Sequence, residues 1–266
     1  MPSTYAHYRF GTEVIKTLNK DAQLAIARFR PLFDVGLHGP DIFFHYNIFF
    51  HTATGELANT MHLESGQEFF QKACKRQRMH PSEAGMAYLY GFLAHYALDS
   101  LCHPFIYSIV SQGEIGHVEL ESEFDRFLLD VDHRNPPHRQ DLGKHLHLSR
   151  SEAATAAYLL SDVSAGAVRR SVRNMALHSH LLATVKPELQ KKVLSHMGRD
   201  IADQLMPQEP NRNCAYLDGD LHRLYKQALA LYPGLAAQME DHILNRTPLG
   251  EDFQKPFDVG EEDHET

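Results

Sequence analysis

Tryptophan is absent from this chain of 266 residues, and cysteine is scarce. The three cysteines are Cys74, Cys102 and Cys214. They are an odd number, lie far apart and lack the close pairing of metal-binding cysteines, so we predict buried reduced thiols and no disulfide framework. Long apolar runs are missing too, and none approaches the length of a membrane-spanning helix. The first residues, Met-Pro-Ser-Thr-Tyr-Ala-His, lack the basic-then-apolar pattern of a secretory signal, so we expect a cytoplasmic protein without a transmembrane segment.

Positive charge is in deficit. The net charge is −8, which argues against the broad basic surface on which a stable nucleic-acid complex depends. Part of the acidity is local, because the chain carries seven acids against one lysine from Glu251 to Glu265. Such a composition is typical of a solvated, mobile end, and we predict an acidic, disordered tail at residues 247–266.

The alternation of apolar and polar residues that marks strands is almost absent, and apolar residues at three- and four-residue spacing predict helices instead. In the first half the expected helices cover about 12–33, 59–78, 81–103 and 117–133. Pro81 suits a helix start, whereas Pro104 marks an end directly after His103. Beyond a loop near 135–143, Ser149 or Ser151 caps a helix towards 167, and others follow at about 169–184, 187–206, 218–231 and 234–245. We therefore predict one all-α, multi-helix domain at residues 1–246, without internal repeats.

Nineteen histidines make this residue the compositional outlier. In the first half of the chain they sit beside aspartate, Gly-Pro and aromatic residues. Later ones such as His138, His145 and His147 fall in a polar, proline-bearing stretch. The residues next to the histidines therefore favour the first half of the chain, about residues 1–133, as the location of a metal site.

The most informative segment reads Gly-Phe-Leu-Ala-His-Tyr-Ala-Leu-Asp-Ser-Leu-Cys-His-Pro. It places His95, Asp99 and His103 four residues apart, and each four-residue step in a helix turns the side chain by only about 40°. The three side chains would share one narrow stripe within an apolar run, where an unpaired charge is costly. His117 and Glu121 repeat the spacing. Imidazoles and carboxylates grouped in this way are the ligands that a divalent metal requires.

Each candidate also has an ordinary structural interpretation. His and acidic residues four apart on a helix are most often surface pairs, which suits the acidic surroundings of His117 and Glu121. His103 at a helix end could interact with the helix dipole, and Asp41 after Gly-Pro could be an N-cap. His62 could be a partly exposed helix residue, and His7 a satisfied polar residue near the terminus. Taken together in one half of the chain, they favour a metal site.

Five motifs carry a resemblance to a known family. They are Met-Pro-Ser-Thr-Tyr-Ala-His-Tyr-Arg-Phe-Gly, Gly-Pro-Asp-Ile-Phe-Phe, Met-His-Leu-Glu, the histidine segment above and Gly-His-Val-Glu-Leu-Glu. In combination they resemble the bacterial zinc-dependent phospholipase C family, over roughly residues 1 to 130. The resemblance implies an all-α fold related to the S1/P1 nucleases and a site of two or three zinc ions.

The resemblance also implies a set of metal ligands. One ion would lie on Asp41, His62, His95 and Asp99. A second would lie on His103, His117 and Glu121. A third would be held by His7 and by Asp99 acting as a bridge. In secreted members the third ion also takes the amino group and carbonyl of an N-terminal tryptophan, which this chain lacks, and the amine of Pro2 could substitute after removal of Met1. His51, and less so His45, are rivals of His62.

The implied function is a zinc-dependent phosphoester hydrolase that cleaves a phosphodiester in the manner of a phospholipase C, by a metal-bound hydroxide. Asp41 would combine ligation with orienting or deprotonating the water, and Asp99 would bridge two cations. The expected substrate is a small phosphoester or a phospholipid. A nuclease or phosphomonoesterase on the same fold, and a non-catalytic helical metal-binding or scaffold protein, remain open. Manganese or iron could also occupy such mixed nitrogen and oxygen ligands.

Overall fold

The structure, a computed structural model, describes residues 4–47, 50–184 and 205–258. Its α-helices are α1 (Thr4–Val14), α2 (Lys20–Arg28), α3 (Arg30–Gly36), α4 (Ala53–Leu63), α5 (Gly66–Met79), α6 (Glu83–Val110), α7 (His117–Val131), α8 (Arg150–Leu160), α9 (Ala165–Thr184) and α10 (Asp218–Asn245). The 3₁₀ helices are Ile15–Thr17, Gly39–His45, Pro137–Arg139, Ala215–Leu217 and Glu251–Phe253. These ranges contain no strand, and a single isolated β-bridge joins Ser65 to Pro256. The all-α prediction is confirmed.

Helix α6 is the central element. It begins after Ser82, whose side chain accepts a hydrogen bond from the Gly85 amide at 3.0 Å, and every residue from Ala87 to Ser100 is buried. A helix that is apolar on all sides must be surrounded by other elements, and α1, α2, α3 and α10 all pack against α6. The buried polar residues on this helix therefore lie in the middle of the domain.

Two glycines allow α3 to approach α6 closely. A Cβ atom on Gly36 would lie 2.5 Å from the Tyr88 carbonyl oxygen, and one on Gly91 would lie 2.2 Å from that of Phe33. Any side chain at either position would push the helices apart. The crossing fixes where the chain leaves α3, and hence where the following 3₁₀ segment, Gly39–His45, meets α6.

Several predicted helix boundaries in the first half are wrong. The helix predicted at 12–33 is divided because Asn19 caps α2, its side chain accepting from the Ala22 amide at 2.9 Å. The helix predicted at 59–78 is likewise two helices, since Ser65 forms a reciprocal capping box with Glu68. In both places a capping side chain begins a new helix within a periodic apolar pattern. The prediction at 117–133 matches α7 closely.

The helix end predicted at Pro104 is also wrong, and so is the break predicted between residues 231 and 234. Pro104 lies inside α6, which continues to Val110, and Pro233 lies inside α10, which joins the helices predicted at 218–231 and 234–245. A proline in a helix interior costs about 3 kcal/mol. Burying one large apolar side chain contributes about 1.5–3 kcal/mol, and Ile106, Tyr232 and Leu235 are all buried beside these prolines. Packing therefore outweighs the local penalty.

In the second half, Ser149 caps α8 in a capping box with Glu152, as one of the two predicted alternatives. The helix ends at Leu160 rather than near 167, because Ser161 adopts a positive φ of 73°. Helix α9 begins at Ala165. The helix predicted at 187–206 falls almost wholly outside the described residues. In the described ranges no helix combines the length and the apolar character needed to cross a membrane.

Residues 247–258 pack against the helical domain. Phe253 and Phe257 are fully buried, the Lys255 carbonyl accepts from the Gly66 amide at 2.9 Å, and the Asp258 amide donates to the His62 carbonyl at 2.9 Å. The first part of the segment assigned to the tail is thus part of the core, because its aromatic residues fill space beside α5 and α6. For residues 259–266, which lie outside the described ranges, the acidic tail stays a prediction.

All three cysteines are free and buried.

Candidate metal centre

Helix α1 places His7 at the centre of the domain. The amides of Tyr5 and Ala6 each donate to one carboxylate oxygen of Asp125 at 2.8 Å, which fixes the start of α1 on α7. His7, one turn further on, points at α6, where its Nε2 atom lies 3.1 Å from Oδ1 of Asp99. His7 is buried, so this contact is shielded from solvent.

Helix α6 contributes three of the predicted ligands from successive turns. His95 has no exposed surface, and its Nε2 atom lies 2.9 Å from Oδ2 of Asp99. The two oxygens of Asp99 therefore face two different histidines, His7 on one side and His95 on the other. This arrangement is the one expected of a carboxylate that bridges two cations.

The 3₁₀ segment and α4 bring Asp41 and His62 to the same place. Oδ1 of Asp41 lies 3.0 Å from Nε2 of His62. The Nδ1–H of His62 donates to the Ala58 carbonyl at 2.7 Å, which leaves Nε2 as the nitrogen available for a ligand. His51, the rival of His62, is fully exposed, and its Nδ1 atom lies 3.7 Å from Oε1 of Glu56. Of the two histidines, the structure brings only His62 to the centre.

A second group forms where α6 meets the start of α7. Oε1 of Glu121 lies 3.4 Å from Nε2 of His103 and 3.1 Å from Nε2 of His117. On its other side, His103 donates from Nδ1 to the Phe257 carbonyl at 3.0 Å, and Oδ1 of Asp258 lies 3.3 Å from the same nitrogen. These outer contacts fix the ring of His103 with Nε2 facing Glu121.

The predicted ligands form three groups, and within each group the ligand atoms lie within 4.8 Å of one another. The groups are His7, His95 and Asp99; Asp41, His62 and His95; and His103, His117 and Glu121. Tetrahedral ligands about 2 Å from a zinc ion lie about 3.3 Å apart, and the nitrogen–oxygen distances above run from 2.9 to 3.4 Å. His95 belongs to two groups, so those two sites are adjacent.

The orientation of the imidazoles also fits metal ions. The Nε2 atoms of His95 and His117 are buried and have no aligned hydrogen bond to any described residue, although each lies close to a carboxylate oxygen. In a metal site, ligand atoms face a common point rather than each other. The donor set of imidazole nitrogen and carboxylate oxygen is the one zinc takes in catalytic sites.

The charges of these groups depend on one another. Burial alone would raise the pKa of Asp99, but the surrounding histidines His95, His103 and His7 hold that pKa well below its ordinary value. Burial would lower the pKa of His103, but Asp99 and Glu121 outweigh it and raise the pKa to about 10. The carboxylates are therefore ionised, as metal ligands must be, and without a metal a histidine proton compensates their charge.

Two further histidine pairs surround the centre, and sequence analysis missed both. Nε2 of His38 lies 2.7 Å from Nε2 of His145, and the ring of His38 lies 6.3 Å from that of His7. Nδ1 of His45 lies 3.4 Å from Nδ1 of His178. The expectation that the later histidines lie away from the site is thus wrong for His145 and His178, which lie beside His38 and His45. The only local signal was the position of His38, directly before Gly-Pro-Asp.

The profile of the zinc dependent phospholipase C family matches residues 6–169, which is more than half of the chain. The chain belongs to this family. The match confirms the resemblance and extends it from about residue 130, through α8, to the start of α9. No curated protein and no solved structure matches the chain.

Membership of the zinc dependent phospholipase C family suggests a hydrolase that acts on phosphoesters with zinc as cofactor. All eight predicted ligands lie within the matched range, whereas Asp258, His178, α10 and the C-terminal segment lie outside it. The relation to the nuclease fold and the cytoplasmic location remain predictions.

Proposed function

We propose that this protein is a zinc-dependent phosphoester hydrolase that cleaves a phosphodiester in the manner of a phospholipase C. One ion is assigned to Asp41, His62, His95 and Asp99. A second is assigned to His103, His117 and Glu121, and a third to His7 with Asp99. The observation that carries the proposal is the convergence of these side chains, drawn from five elements, into three adjacent groups inside a domain of this family.

Asp99 is the residue on which the proposal most depends. Its two oxygens lie 3.1 Å from His7 and 2.9 Å from His95, so one side chain can hold two neighbouring cations at a fixed separation. Zinc bound there would lower the pKa of a coordinated water and would stabilise negative charge on the non-bridging phosphate oxygens. Asp99 would hold both ions beside the substrate phosphate.

Asp41 is assigned a second role beside ligation. His62 and His95 outweigh the effect of burial and lower the pKa of Asp41, so its carboxylate stays ionised as an acceptor. Its Oδ1 atom faces His62, which leaves Oδ2 to accept a hydrogen bond from the attacking water and to orient it. The Phe44 ring, stacked on His62 with centroids 5.7 Å apart, shields this side from bulk solvent.

The test combines metal analysis with a panel of phosphoesters. The full chain, purified without chelators and loaded with zinc, is expected to hold two or three equivalents and to cleave a phosphatidyl phosphodiester. The loss of activity on chelation should reverse with zinc. Dinucleotides and phosphomonoesters in the panel distinguish nuclease and phosphomonoesterase activities. A protein that holds no zinc under any loading condition would contradict the proposal.

Asp99→Asn isolates the bridging carboxylate. Removing a group that only supports a ligand typically lowers metal affinity or activity about 10- to 100-fold, so we expect loss of a direct ligand to lower kcat/KM by more than about 100-fold, with the helical circular-dichroism spectrum retained. Asp220→Asn, an exposed residue on α10, is the matched control and should leave both readouts unchanged. Full activity in Asp99→Asn would reject this assignment.

A further inference from the structure

A small cavity with both polar and apolar walls lies beside the metal centre and has no part in the ligand set. It has a volume of about 70 Å³ and is bounded by α1, the 3₁₀ segment Gly39–His45, α7, the stretch around 137–142 and α9. Its polar lining residues are Thr4, His45, Ser122, Asp125, His138, Gln140, His178 and Ser179. By the volume that one enclosed water occupies, the cavity has room for about five to seven waters, which suits a group of glycerol size.

The cavity adjoins the centre because three of its walls are elements that also carry predicted ligands. Thr4 precedes His7 by three residues on α1. In the 3₁₀ segment His45 follows Asp41 by four, and on α7 Asp125 follows Glu121 by four. Side chains three or four residues apart on an α-helix are neighbours, with Cβ atoms about 5–6 Å apart, so Thr4 lies near His7 on α1 and Asp125 lies near Glu121 on α7. A phosphoester on the metal ions therefore has the cavity within reach of one of its alcohol groups.

The lining presents hydrogen-bonding atoms that the protein itself does not use. Nε2 of His45 and Nδ1 of His138 are buried and have no hydrogen-bond partner in the described parts of the chain. His45 is itself only 4% exposed. Asp125, by contrast, already accepts from two amides of α1. Among the described residues, none of His45, His138 and His178 belongs to a group of three side chains close enough to hold a metal ion.

The lining carries little charge near neutral pH. Burial and the neighbouring His178 lower the pKa of His45 to about 3, and burial lowers the pKa of His178 and of His138. Burial also raises the pKa of Asp125 to about 8, despite its two amide donors. Neutral imidazoles offer one N–H donor and one nitrogen acceptor each. Phenylalanine and tyrosine are absent from the described lining, so no aromatic face is available for a quaternary ammonium group.

We propose that this cavity binds an uncharged, hydroxyl-rich alcohol group esterified to the substrate phosphate, so that the enzyme prefers phosphoglycerol-type esters to phosphocholine esters. The inference rests on the proposed function for its placement beside the phosphate. The hydroxyls pair with the unpartnered nitrogens of His45 and His138. His178, whose Nδ1 lies 3.4 Å from Nδ1 of His45, completes this polar wall. An apolar or cationic group would leave those buried nitrogens without partners.

The first test compares two substrates that differ only in this group. Short-chain phosphatidylglycerol and phosphatidylcholine are hydrolysed by the zinc-loaded full chain, and kcat/KM is measured for each. We expect the ratio to favour phosphatidylglycerol at least about tenfold, the effect of roughly one or two hydrogen bonds. His178→Leu should bring the ratio close to one. His180→Leu, an exposed histidine on the same helix, is the control and should retain the preference.

If neither lipid is cleaved, the proposed function is contradicted, but the inference about the cavity can still be tested by a binding measurement. Imidazole carbon signals of the zinc-loaded protein are recorded by NMR during titration with glycerol 3-phosphate and, separately, with phosphocholine. The signals of His45 and His178, assigned with His45→Gln and His178→Gln, should shift with glycerol 3-phosphate and remain unchanged with phosphocholine. Equal shifts with both ligands, no shift with either, or a substrate ratio unaffected by His178→Leu would overturn the inference.

Discussion

At the scale of single residues, Gly39 links the backbone to the metal centre. Its φ of +44° lies in the region that favours glycine, and a Cβ atom added there would lie 2.2 Å from Cδ2 of the His95 ring. Gly39→Ala therefore strains the backbone and displaces a ligand shared by two of the three groups. We expect a loss of stability of about 1–3 kcal/mol by urea unfolding, together with weaker zinc binding by calorimetry.

Gly113→Ala separates these two effects. Gly113 also has a positive φ, +79°, but a Cβ atom there meets nothing within 4 Å. This variant should show a backbone penalty of about 1–2 kcal/mol and zinc affinity equal to that of the parent. If Gly39→Ala binds zinc as tightly as Gly113→Ala, the ring of His95 does not depend on Gly39.

The residues that sequence analysis found and those it missed differ in how far apart their partners lie. His95, Asp99 and His103 were predictable because they occupy successive turns of one helix, a relation visible in four-residue spacing. His38 and His145 are 107 residues apart, and His45 and His178 are 133 apart. Contacts of that kind depend on how α9 and the 140s loop pack against the 3₁₀ segment, which local periodicity does not contain.

At the scale of elements, helix type was predictable and helix ends were not. Apolar periodicity located most of the described helices, since burial of one face is what stabilises them, but it missed α1 and merged α2 with α3 and α4 with α5. The helix ends depend on a competition between local effects, such as capping or a proline, and the burial of apolar side chains in the folded domain. Ser65 begins a helix where the apolar pattern runs on, whereas Pro104 fails to end one because Ile106 is buried two residues later. A proline next to buried apolar residues is thus a poor boundary signal.

The junction of α7 and α10 carries a titratable group with a consequence for stability. Asp218 is buried at the start of α10, with Oδ2 lying 4.0 Å from Nη2 of Arg126. Burial and the adjacent Glu123 raise the pKa of Asp218 to about 7, although Arg126 acts in the opposite direction. In the unfolded chain an aspartate has a pKa of about 3.9.

Between these two values the folded protein keeps a proton that the unfolded chain has released. The contribution of Asp218 to stability is therefore fully present below about pH 4, falls as the pH rises and levels off above about pH 7. Asp218→Asn carries no such proton. The variant should lose less stability than the parent between pH 5 and pH 8, measured as the urea midpoint at each pH.

Asp220→Asn is the control for this pH dependence. Asp220 lies two residues further along α10, is exposed and contacts Arg223 at the surface. Its replacement should leave the pH dependence of the parent intact. Identical curves for Asp218→Asn and the parent would mean that Asp218 ionises normally in the folded state.

At the scale of the whole molecule, the two ends of the described chain meet at the metal centre. Helix α1 supplies His7 from the start, and the segment after α10 supplies the Phe257 carbonyl and Asp258, which contact Nδ1 of His103. The folded domain must therefore close before the ligand set is complete. Residues beyond the family match are part of this closure, although they supply none of the predicted ligands.

Phe257 tests whether the C-terminal segment is integral to the domain. Its ring is fully buried, with centroids 4.8 Å from Tyr96 and 6.1 Å from His95. Phe257→Ala should lower the free energy of unfolding by about 3–5 kcal/mol, and it should also weaken zinc binding, because the segment that orients His103 loses its anchor. Leu244→Ala, at a position 77% exposed, should change stability by less than about 0.5 kcal/mol. A change as small in Phe257→Ala would instead place the domain boundary near residue 246, with the segment beyond it only resting on the surface.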